Sequence, residues 1–129
     1  MSTETPPTIA ALGIRADVDA DPSVVEVGQS LAALRGYVGA ANDAAIPYLE
    51  AFRLGDKAVM YLDEDGKARG LPVNMLATLM AWIHGGLSSA DNIVGDVLVV
   101  GSEDADGDNR SVPSELVVWA EDVWRVVGA

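Results

Sequence analysis

Residues 61–78, YLDEDGKARGLPVNMLAT, restrict the fold more than any other stretch, because they set a strand end, a turn, an extended step and a helix start in close succession. Ala58 to Leu62 is apolar at consecutive positions, which predicts a strand covered on both faces and ending at Asp63. Asp63-Glu64-Asp65-Gly66 then reads as an acidic turn with Gly66 where a positive φ is needed. Pro72 drives Leu71 out of the helical region, and Asn74 can cap a helix beginning at Met75 because its side-chain oxygen accepts an orphan N–H. Leu76, Leu79, Met80 and Ile83 share one face of that helix, and Gly85-Gly86 supplies the left-handed residue that ends it. On this reading loss of the Asn74 cap costs ~1 kcal/mol, and truncating Leu79, taken as a core residue, costs ~2–5 kcal/mol.

The remaining elements arrange themselves around this unit. Thr8 to Ala16 and Ser23 to Val27 form a hairpin across a loop holding Asp17, Asp19 and Asp21. Gly28 or Ser30 starts a short helix with Leu31, Leu34 and Val38 on one side, weakened and ended by Gly36 and Gly39. Ile46 to Leu54 is a strand returned by a two-residue Gly55-Asp56 turn. Ile93 to Val100, the most β-branched run, is a central strand interrupted by Asp96. Glu103 to Arg110 is an acidic loop, and Glu115 to Val127 is a helix with Leu116, Ala120, Val123, Trp124 and Val127 on its stripe. The order ββα-ββ-α-β-α predicts an α+β domain, with a mostly antiparallel sheet of about five strands and three helices largely on one face. Residues 1–7, polar with two prolines, read as a disordered leader, and 8–129 as one domain.

Composition then removes whole classes of function. The chain has no cysteine, which excludes thiol catalysis and disulfide scaffolds and suits a reducing cytoplasm. It has a single histidine, His84, whose position at a helix end suits a contact with the helix dipole. A formal charge of −12 opposes phosphate backbones and anionic membranes. There is no membrane-length apolar run, no phosphate loop and no nucleophile elbow, and nothing calls for a cofactor.

Leu31, Leu34, Val38 and Gly39, then Leu49-Glu50, then Asp63 to Lys67 with Gly70-Leu71-Pro72, and Ile93-Val94-Gly95 together resemble the phage and mobile-element family of unknown function catalogued as number thirty-eight forty-six. Leu31, Leu34, Val38 and Gly39 look like its helix ending in Val-Gly-Gly, with Ala40 in place of the second glycine, and Leu49-Glu50 looks like its next strand after a few additional residues, 41–47. Asp63-Glu64-Asp65-Gly66-Lys67 and Gly70-Leu71-Pro72, with Asn74, Ala77 and Thr78, look like its most typical segment. Ile93-Val94-Gly95 with Val99 and Gly101 looks like its closing strand, where the resemblance stops. The family has no established activity. The resemblance implies a small accessory protein in the cytoplasm of a host bacterium, acting on a host protein.

Three groups of residues carry functional expectations. Asp63, Glu64, Asp65, Asp104, Asp106 and Asp108 are candidates for an acidic protein-binding surface that avoids nucleic acid and membranes, and Trp119 is a candidate interface anchor; self-association is also open. Asp104, Asp106, Asp108 and Glu115 have the spacing of a calcium loop, but Asn109 stands where glycine belongs and Pro113 lies inside, so a solvated acidic loop is the better reading and no metal is assigned. Glu50 and Asp96, acids within apolar strands, are the only enzyme-like or ligand-binding hint; alternation places them more simply on a solvent-facing side or sheet edge.

Overall fold

A computed structural model gives the structure of the protein, and it describes residues 8–17, 19–28, 30–39 and 48–127. The elements are β1 (Thr8–Ile14), β2 (Ser23–Gly28), α1 (Leu31–Gly39), β3 (Leu49–Leu54), β4 (Ala58–Asp63), α2 (Met75–Gly85), β5 (Val97–Gly101) and α3 (Ser114–Val127). The expected ββα-ββ-α-β-α order and α+β class are thus present. The proposed leader and the additional residues 41–47 lie outside the described residues.

The strands form one antiparallel sheet in the order β2-β1-β5-β4-β3. The β-branched run sits at its centre, pairing Ile14 with Val97 on one side and Tyr61 with Leu98 on the other. Alternation along β4 and β5 sends Ala58, Met60, Leu62, Val97 and Val99 to one face and Val59, Leu98 and Val100 to the other. The first face packs under α2 and α3, with Leu76, Met80, Leu116 and Ala120 buried against it. The second is covered by α1 through Leu34 and Val38, so the helices divide two and one between the faces. A parallel-like double burial of β4 and β5 explains why these strands read as continuous apolar runs.

Four local readings change. Gly66 does not have positive φ; glycine is needed there because a Cβ would stand 2.9 Å from Val94 Cγ2. The β3–β4 turn holds three residues, since Leu54 pairs with Ala58, and Gly55 takes φ 65°. The buried face of α2 is Leu76, Ala77, Met80 and Ala81; Leu79 is half-buried and Ile83 is 62% exposed, so the stripe is rotated toward the alanines. Asp96 lies in the break between Val94 and β5 and does not face solvent. The α2 termini form as expected, with Asn74 as N-cap and Gly86 at φ 69° as C-cap.

Candidate functional site

The sheet has two ends of different character. At one, β1 and β4 finish and β5 begins; at the other, β1 and β4 begin and β5 finishes. The 61–78 unit closes the first end, so we call it the motif end.

Asn74 is the organising residue of the motif end. Its side chain, 1% exposed, accepts from Ala77 N at 3.1 Å and donates through Nδ2 to Ile14 O and Gly95 O, both at 2.9 Å. Thr78 Oγ1 donates to Asn74 O at 2.7 Å and accepts from Ile93 N at 2.9 Å. Around them Asn74 N donates to Ile93 O and Gly95 N to Pro72 O, so 72–74 and 93–95 run as a short antiparallel ladder next to the sheet. Gly95 at φ 77° lets the chain turn from this ladder into β5 under Leu71, whose Cδ1 would lie 2.8 Å from a Cβ there. Gly66, Leu71, Pro72, Asn74 and Thr78 therefore build a scaffold joining β1, α2 and the start of β5.

The acids of the turn have different roles. Asp63 is 3% exposed; its Oδ1 accepts from Asp65 N at 2.9 Å, and its Oδ2 makes no hydrogen bond among the described residues, with the Arg69 guanidinium 3.3 Å away as an ion pair. Asp63 is thus a turn-holding carboxylate, and only Glu64 and Asp65 are exposed. Beside them, β3, the end of β4 and the segment after α2 enclose a cavity of about 260 Å³ lined by Glu50, Phe52, Leu62, Asp63, Glu64, Lys67, Leu87, Asp91, Asn92, Ile93 and Val94. Lys67 bridges to Asp91, and this hydrogen bond holds the Asp91 carboxyl below the usual range. Among the described residues the side chains of Glu50 and Glu64 have neither hydrogen bond nor ion pair.

Glu50 and Asp96 are not brought together. Asp96 lines a separate cavity on the α1 side, and both its oxygens are engaged, Oδ2 by Arg15 at 3.1 Å and Oδ1 by Ala16 N at 2.9 Å. Arg15 also lies over the Tyr37 ring at 5.4 Å, and burial pushes the Tyr37 hydroxyl pKa up, a shift that Arg15 opposes.

Asp104, Asp106 and Asp108 lie at the opposite end of the sheet. Asp104 Oδ1 accepts from Asp106 N and Asp108 N at 2.9 and 3.1 Å, which folds the acidic loop upon itself and leaves Asp106 and Asp108 exposed. Glu115, the distal acid of the calcium spacing, instead pairs with Lys57 at 2.9 Å. Among the described residues no group of three or more His, Asp or Glu is arranged to hold a metal ion. Trp119, half-buried, packs on the core and meets the His84 ring edge-on, with centroids 4.9 Å apart and His84 Nε2 without a hydrogen-bond partner among the described residues. These two rings, with Leu54, Asp56, Lys57 and Glu115, line a second cavity of about 380 Å³.

Sequence reasoning missed Lys67, Asp91 and Phe52 as neighbours of Glu50 and Glu64. For Phe52 a signal existed, since Glu50, Phe52 and Leu54 alternate onto one face. For the Lys67–Asp91 bridge there was none, because α2 stands between the partners in the chain.

No helix among the described residues is long and apolar enough to cross a membrane. No curated protein and no solved structure matches the chain. A family model described as a domain of unknown function matches residues 11–125, which carries the likeness beyond Gly101 and through most of α3. The chain belongs to that family, DUF3846.

Proposed function

We propose that this protein is a non-catalytic, acidic interaction module, made by a phage or mobile element, that engages a basic surface of a host protein in the host cytoplasm. The observation that carries the reading is the placement of unneutralised acid at the two ends of the sheet. Glu50, Glu64 and Asp65 are exposed at the motif end, and Glu103, Asp106 and Asp108 at the other. Acid concentrated at loop ends steers a positively charged partner and repels phosphate, and the attraction weakens as salt screens it. The phage setting is what the family resemblance implies.

The test uses the whole chain immobilised for capture from host lysate, beside a duplex-DNA binding assay. Expected is retention of a basic protein that elutes as salt rises and is lost from Asp104→Asn/Asp106→Asn/Asp108→Asn, with no DNA binding at moderate salt. Tight binding of DNA by the pure protein would overturn the reading. Salt-insensitive capture that depends on Trp119 would place the interface on α3.

A further inference from the structure

The cavity beside Glu50 combines features that an acidic cluster alone does not. It has an apolar floor containing Phe52, two carboxylates, Glu50 and Glu64, without partners among the described residues, and the buried carboxylate Asp63, whose Oδ2 accepts no hydrogen bond there and is ion-paired with Arg69 at 3.3 Å. Its one lysine, Lys67, is already occupied by Asp91, and the nearby Arg69 by Asp63. With those two pairs neutral, the formal charge left on the lining is that of Glu50 and Glu64.

We infer that this cavity is a receptor for a single organic cation of side-chain size, the guanidinium or ammonium head of an arginine or lysine presented by a partner chain. A volume of about 260 Å³ falls below the roughly 300–1,000 Å³ of cofactor and drug-sized sites, and suits one extended side chain. An aliphatic stem lies against the apolar floor while its head meets carboxylates at the rim, the way long basic side chains divide themselves between apolar and polar surroundings. The ring of Phe52 adds an attraction for a cation placed over its face. A guanidinium has a further advantage, since its planar fork can engage a carboxylate through two parallel bonds. Anions are repelled, and the described acids are not arranged to hold a metal.

This inference rests on the acidic-module reading and assigns that module's motif end a defined pocket. The test is a titration of the ¹⁵N-labelled protein with N-acetyl-arginine amide and with a short arginine-containing peptide, using the neutral citrulline peptide as control. Expected are amide shifts confined to residues 50–52, 62–67 and 87–94, from the free amide and the peptide alike. A larger affinity for the peptide would support a protein-borne cation as the occupant; equal affinity would overturn that assignment in favour of the free cation. The exposed pair change Glu50→Gln/Glu64→Gln should weaken binding about tenfold, as expected for two partly screened ion pairs, with an unchanged thermal midpoint. Equal binding of the citrulline peptide, shifts elsewhere, or binding indifferent to the double substitution would overturn the pocket. Those results with salt-sensitive capture of a basic protein retained would refute the pocket alone; arginine binding without any capture would refute the module and leave the pocket.

Discussion

Asn74 offers a sharp test because its two roles predict opposite outcomes for one substitution. As a helix cap alone it is worth ~1 kcal/mol, and aspartate would replace it without loss, since both side chains cap well. In the structure the same side chain also donates two hydrogen bonds, to Ile14 O and Gly95 O, from a position that is 1% exposed. Each carbonyl deprived of its donor where water cannot replace it adds ~1–3 kcal/mol. Asn74→Ala should therefore cost roughly 3–7 kcal/mol, the cap and both lost donors together, a large share of the ~5–15 kcal/mol that holds a domain of this kind folded. Asn74→Asp retains the acceptor to Ala77 N but sets a carboxylate oxygen against two carbonyl oxygens, so it should be at least as damaging at neutral pH. The measurement is urea unfolding followed by circular dichroism for both variants. An Asn74→Asp protein as stable as the parent, with Asn74→Ala costing only ~1 kcal/mol, would show that the residue is a cap and nothing more.

Further outcomes can be stated briefly. Met80→Ala, at a fully buried site, should cost ~2–5 kcal/mol by urea titration, whereas Leu79→Ala, half-buried, should cost clearly less; equal losses would put the core face of α2 elsewhere. Gly13→Ala would place a Cβ 1.9 Å from Tyr37 Oη, so it should cost ~1–3 kcal/mol through overpacking, and less in a Tyr37→Leu background; additive losses would show that the ring is not the obstacle. Because the Tyr37 pKa is raised above its ordinary 10.0, the folded state favours the protonated phenol, so this contribution is intact below pH 10 and declines as pH rises beyond it. Tyr37→Phe should remove that part of the alkaline decline, and an unchanged alkaline limb in a melt series would contradict it. Thermal melts with calcium and with chelator should coincide, since Glu115 is tied to Lys57; a calcium-dependent rise abolished by Asp106→Ala would instead establish a site.

Local chemistry made much of the fold legible from the residues alone. Asn74 and Gly86 bound α2, Ser30 Oγ accepts from Ala33 N at the start of α1, and Asp96 breaks the run before β5, each through steric or hydrogen-bonding preferences that act within a few residues. The doubly buried β4 and β5 were visible as unbroken apolar runs, because burial on both faces removes the alternation that a half-exposed strand shows. Tertiary structure decided what depends on distance across the chain. It rotated the α2 stripe toward Ala77 and Ala81, since the contact with the sheet favours small residues and near-uniform apolarity in the helix leaves the facing side undetermined by pattern. It drew Asp96 largely out of solvent by supplying Arg15 from the far end of the chain, and a carboxylate can leave water when such a partner is brought to it. It also placed the two acidic groups at opposite ends of the sheet and walled a cavity between Glu50, Phe52 and the 87–94 segment. Strand order, which sets those distances, comes from long-range pairing that no local sequence preference encodes.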